Sequence, residues 1–218
     1  MNKKYLHVPL YFWLAFLLSS LLFIFIPTID VFISGLFYDG KSFPANGSFF
    51  EELFYYSVRP LLLILVAGTL LIFAYNFFKK KNIGNINAKV LLYLLLVLSI
   101  APGLIVNAGL KENWERARPA QTTLFGGTKE FTPAFIISDQ GGYSFSSGHA
   151  AAAFSLLGFA LLAKRRRNIW ISLSLTYGFS VGLARIAAGG HFFSDVVTSF
   201  FIVTIFTLIF YSFLIKKD

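Results

Sequence analysis

Residues 185–215 read RIAAGGHFFSDVVTSFFIVTIFTLIFYSFLI. The second part, Phe193–Ile215, is apolar over roughly the ~20 residues that a helix needs to cross a bilayer. Arg185 and His191 precede that run and Asp195 is its third residue, so all three stand at its mouth. Ionisable groups at the end of a lipid-length helix are expensive and point to function. This stretch predicts a membrane helix with chemistry at one end.

The pattern extends along the chain. Five further apolar stretches occur, at Pro9–Ile29, Pro60–Phe78, Val90–Gly109, His149–Ala163 and Ile169–Ala187. The fourth in chain order, His149–Ala163, is short. It can still serve inside a bundle, where its Ala150–Ala153 run suits close packing. Apolar residues make up 56% of the 218 and charged residues only 13%, against about 25% in soluble domains. Mean hydropathy is +0.70. These features predict an all-α integral membrane protein of six transmembrane helices, forming a single domain over residues 1–218. The N-terminal run to Ile26 is too long for a signal core and lacks a small-x-small cleavage site, so it reads as a retained first helix. The absence of cysteine excludes disulfides and thiolate metal sites.

The net charge of +9 does not point to nucleic acid, because the basic residues form short clusters between apolar runs. Lys3 and Lys4, then Lys79–Lys81 with Lys89, then Lys164–Arg167, then Lys216 and Lys217 all fall on one side of a six-helix topology. The positive-inside rule makes that side cytoplasmic, with both termini there. The segments 30–59, 110–148 and 188–192 then face outward, periplasmic in a Gram-negative cell. The first of these, Asp30 to Arg59, is rich in aromatics. Surface guidance of a lipid headgroup and plain interfacial anchoring both remain open for it.

Three stretches on that outer face share one chemistry: Lys111-(six residues)-Arg118-Pro119, Ser147-Gly148-His149, and Arg185-(five)-His191-(three)-Asp195. Three cations imply an anion with several oxygens, and phosphate fits. His191 and Asp195 are four apart and share a helix face, so the carboxylate can accept from one ring nitrogen and leave the other for phosphorus. Gly189 and Gly190 permit the turn before His191. Ser147, Gly148 and His149 fall at a helix N-terminus, where free N–H groups meet an anion. There His149 is placed to protonate a leaving oxygen. Lys111 and Arg118 complete the phosphate ligands, with Arg116 left open as an alternative to Arg118. No Asp/Glu cluster with metal-ligand spacing accompanies these groups, so the reading is metal-independent, with no cofactor.

The motifs K-x6-RP, SGH and R-x5-H-x3-D, with the six-helix pattern, resemble the membrane branch of the type 2 phosphatidic acid phosphatase superfamily. The resemblance implies that His191 attacks phosphorus to give a phosphohistidine, with Asp195 orienting it and His149 as the acid. It implies that Lys111, Arg118, Arg185, Ser147 and the Gly148 amide hold the phosphoryl oxygens. Ser146 stands where the second motif commonly has proline, and Ala184 where the third commonly has serine. The contexts APGLIVN, FTPAFIISDQ and GGHFFSDV are similar to those of bacterial lipid A phosphatases, notably the 4′-phosphatase type. The expected function is a lipid phosphatase of the inner membrane, acting on lipid A at the periplasmic face. Undecaprenyl pyrophosphate and phosphatidylglycerophosphate are the alternative substrates. Phosphotransfer to a second lipid uses the same site, whereas a transporter would carry its ionisable groups along the path. Related haloperoxidases share the constellation but not the apolar helices. The partners expected are a phosphorylated lipid and the membrane, with no nucleic acid and no obligate protein partner evident.

Overall fold

The structure, a computed structural model, describes residues 3–216. Met1, Asn2, Lys217 and Asp218 lie outside the described residues, including the Lys217 of the last basic cluster. The fold is helical apart from a two-residue antiparallel ladder pairing Lys4–Tyr5 with Val8–Pro9. The helices are α1 (Leu10–Phe25), α2 (Thr28–Gly35), α3 (Phe49–Lys79), α4 (Ala88–Ser99), α5 (Gly148–Phe154), α6 (Leu156–Leu162), α7 (Arg167–Ala187) and α8 (Phe193–Leu214).

Among the described residues, four helical rods are long and apolar enough to cross a membrane: α3, α4 with its continuation to Lys111, α7 and α8. The expected first span is a bent pair, with α1 and α2 meeting at 84°. Pro27 stands at the bend and cannot donate the N–H that would continue α1. The expected fourth span, His149–Ala163, is found as the short helical stretch Gly148–Leu162, interrupted at Ser155.

The aromatic segment Asp30–Arg59 does not lie along the surface as a whole. Residues from Phe49 belong to α3, which begins eleven residues before the expected Pro60. Ser48 caps it by accepting from the Glu51 N–H at 3.3 Å, and Glu51 and Glu52 oppose the helix dipole in the first turn. Hydropathy missed these eleven residues because Glu51, Glu52, Ser57 and Arg59 break the apolar run.

Beyond Ser99 the second rod, which begins as α4, widens into a π-helix, Ile100–Lys111. Pro102 has no N–H for a regular ladder, and its carbonyl instead accepts from Asn107 Nδ2 at 2.6 Å. The widened stretch ends on Lys111.

The core forms around α5. Ala150, Ala151 and Phe154 pack with Ala101 and Val106 of the π stretch, Ile186 of α7, and Val196, Ile202 and Val203 of α8. Small side chains let α5 sit between α7 and α8, and this brings three distant stretches of sequence to one end of the bundle.

Candidate active site

Backbone hydrogen bonds tie the three motif stretches together. The Ala120 N–H donates to the Gly189 carbonyl at 3.1 Å, joining the turn after Arg118-Pro119 to the turn before His191. The Ser147 N–H donates to the Asp195 carbonyl at 3.3 Å, and Ser199 Oγ donates to the Ser147 carbonyl at 3.0 Å. Gly189 makes its turn at φ +65°, a conformation open to glycine at little cost.

Lys111, Gly148 and His149 line a cleft of about 330 Å³ between α3, the π stretch and α5. Tyr55, Arg59 and Asn107 share its wall. A Cβ at Gly148 would stand 2.6 Å from Asn107 Oδ1, so any larger residue there would have to displace that side chain. Ser147 caps α5, its Oγ accepting from the Ala150 N–H at 3.4 Å, and its own hydroxyl hydrogen remains available to donate. The His149 ring stacks on Tyr55 at 4.1 Å between centroids. Arg185 is buried, pairs through Nη1 with Glu51, and lies with Cζ 4.8 Å from the Tyr55 ring centre. A Cβ on Gly190 would overlap Arg185 Nη2, so the guanidinium rests against bare backbone. Arg118 is half-buried. Burial and then the neighbouring Arg185 guanidinium push its pKa down, a condition that a bound anion relieves.

His191 is 2% exposed, and its Nδ1 lies 2.7 Å from the Ser144 carbonyl. A carbonyl only accepts, so Nδ1 carries the proton and Nε2 keeps its lone pair. Burial holds the ring's pKa below the ordinary imidazole value, with Asp195 pulling the other way.

Two sequence expectations are corrected here. Asp195 does not take the hydrogen bond from His191: Oδ2 stands 3.6 Å from Nδ1, beyond hydrogen-bonding distance. Its oxygens are already committed. Oδ2 accepts from Ser144 Oγ at 2.6 Å and the Phe192 N–H at 2.8 Å, and Oδ1 accepts from Arg116 Nη1 at 2.7 Å. Arg116 is not an alternative phosphate ligand. It is fully buried and donates to Asp195, to Asp30 Oδ2 at 2.8 Å, to Ser194 Oγ at 2.9 Å and to the Thr132 carbonyl at 2.8 Å. Its Cζ lies 4.3 Å from the centre of the Phe192 ring.

Residues 90–218 match the profile of the PAP2 superfamily. The chain belongs to the PAP2 superfamily. The resemblance carried by the three motifs is thereby met. Among curated relatives of this PAP2 protein, the lipid A 4′-phosphatase of Francisella tularensis subsp. novicida is 32% identical over 208 residues. The match covers 89% of this chain and 90% of that protein. The lipid A 4′-phosphatase of Rhizobium leguminosarum is 39% identical over 111 residues, covering 46% of this chain and 44% of its own. That of Rhizobium etli is 38% identical over 104 residues, or 45% and 40%. No solved structure matches the chain. The family profile starts within α4, so Glu51 and Tyr55 of α3 and Asp30 of α2 are contributed from outside it.

Sequence reasoning missed Glu51, Tyr55, Asp30, Asn107, Ser144 and Ser194. The signal available for three of them was a polar residue within or beside an apolar run, namely Asp30, Glu51 and Asn107. The Ser144 carbonyl carries no sequence signal, because every residue has one.

Proposed function

We propose that this PAP2 enzyme removes a phosphate from the headgroup of lipid A at the outer leaflet of the bacterial inner membrane, through a phosphohistidine. It is a phosphoric monoester hydrolase acting on a lipid phosphate, and the full-length similarity to a lipid A 4′-phosphatase supports lipid A as the substrate. The observation that carries the chemistry is the His191 tautomer: Nδ1–H is spent on the Ser144 carbonyl, leaving a neutral, buried Nε2 as the nucleophile.

The proposed reaction has two steps. In the first, Nε2 of His191 bonds to phosphorus while the P–O bond to the sugar breaks. His149 donates its proton to the departing oxygen. In the second, a water attacks the same phosphorus, the N–P bond breaks, and neutral His149 takes the water's proton. Lys111, Arg118, Arg185, the Ser147 hydroxyl and the Gly148 N–H hold the three non-bridging oxygens and offset the charge that builds on them. Asp195 acts through its charge beside His191 and through its hold on Ser144. In this reading the whole chain is one domain with six spans, the termini are cytoplasmic and the cleft faces the periplasm. The basic clusters of the helix connections support that orientation.

The test is mass spectrometry of lipid A from cells carrying the wild-type chain or His191→Ala, paired with phosphate release by both purified proteins. Wild type should strip one phosphate from lipid A, and His191→Ala should fold normally yet release none. Turnover by His191→Ala at the wild-type rate would remove His191 as nucleophile. Release from undecaprenyl pyrophosphate or phosphatidylglycerophosphate but not lipid A would replace the substrate.

A further inference from the structure

Arg185 and His149 lie on different helices, yet one face of α3 touches both. Glu51 and Tyr55 are four residues apart, one above the other on that face. Glu51 is 6% exposed and takes Arg185 Nη1 in an ion pair. Tyr55 has the Arg185 guanidinium over its ring and the His149 ring stacked on it. The Nε–H of Arg185 is buried without a hydrogen-bond partner among the described residues. Unmatched, that donor is costly; matched by a phosphate oxygen, it would be satisfied.

We propose that Glu51 and Tyr55 are positioning residues, with Glu51 holding one arm of Arg185 so that its Nε edge is presented to the phosphate. Tyr55 then fixes the spacing between that cation and the His149 ring. Glu51 therefore raises affinity for a phosphoryl group although both are anionic. A guanidinium is a planar fork, and a carboxylate on one side pre-orients the donors on the other. Holding the fork in place before substrate arrives removes a rotamer cost from binding. Both residues lie on α3, outside residues 90–218 that match the family.

This inference rests on the phosphatase reading, and its test uses inhibition by orthovanadate, a phosphate mimic, of the full chain in detergent. Glu51→Ala should weaken orthovanadate inhibition and raise KM, each by about tenfold, with a smaller fall in kcat. Glu51→Gln should recover most of both, since its amide oxygen still accepts from Nη1. Tyr55→Leu should lower kcat and weaken inhibition together, and Tyr55→Phe, which keeps the ring, should recover both. Equal or tighter inhibition of Glu51→Ala would overturn the proposal; tighter inhibition would mean that Glu51 competes with phosphate for Arg185. If Glu51→Ala does not fold, Glu51→Asp decides, because its shorter arm draws Arg185 back and should weaken inhibition, whereas unchanged inhibition overturns the proposal. A wild-type chain that releases no phosphate from any lipid sinks the functional reading itself. An active wild type matched by Glu51→Ala sinks this inference alone.

Discussion

Arg116 and Arg118 are two residues apart and end in opposite conditions. Arg116 is fully buried, and its donors reach two carboxylates, a hydroxyl and a carbonyl. Arg118 is half-buried, with Arg185 near enough to oppose its charge. The first condition is that of a structural cation, which ties α2, the outer loop and the start of α8 into one buried knot. The second is that of a binding cation, charged and waiting for an anion. What separates them is the company that the fold brings to each guanidinium. The site thus has two parts, a dry network in which two carboxylates share one guanidinium, and a phosphate site in which Lys111, Arg118 and Arg185 outnumber the one carboxylate beside them, Glu51.

The widest gap between the two parts should appear in stability. Arg116→Met leaves Asp30 and Asp195 buried without their shared cation, which costs about 3–5 kcal/mol when one partner of a buried pair is removed. The melting temperature in detergent should fall sharply and activity should go with it. A variant that melts like wild type would erase the distinction between network and cleft. Arg118→Ala should do the reverse, lowering phosphate release roughly 100-fold, as loss of one transition-state donor does, at nearly unchanged melting temperature. That loss corresponds to about 2.7 kcal/mol of transition-state stabilisation. Arg118→Ala with full activity would hand the phosphate to Lys111 and Arg185 alone.

Much of the cleft was legible in the sequence, and the network was not. Lys111, His149, Arg185 and His191 sit at helix ends in spaced motifs, and hydropathy locates these particular ends well. Three spans departed from that reading for local reasons, the fourth by its break at Ser155. Hydropathy averages over a window, so it placed one span across the 84° bend at Pro27 and dropped the first eleven residues of α3, where charges interrupt the apolar run. The network depends on pairings that no window contains: Arg116 with Asp30 is 86 residues away and with Asp195 is 79. Asp195 was correctly expected beside His191 from the four-residue spacing. That spacing could not reveal that its oxygens were already taken by Arg116, Ser144 and the Phe192 N–H.

His191 touches both parts, and its titration measures how strongly they are coupled. Its Nδ1 faces the network, and its Nε2 is the nitrogen assigned to phosphorus. Burial holds the ring's pKa down, while the Asp195 carboxylate at 3.6 Å pulls it up. The nucleophile must be neutral, so kcat/KM should fall on the acid side only below the ordinary imidazole value of about 6.5. Asp195→Asn removes the one nearby charge that favours the protonated ring, and the acid limb should move further toward low pH. The substrate phosphate also titrates in this region, but it does so identically for both proteins. The displacement between the two profiles therefore belongs to His191. A limb that stays in place, or moves toward neutral pH, would mean that Asp195 reaches the ring only through Ser144 and that its charge is screened from the cleft.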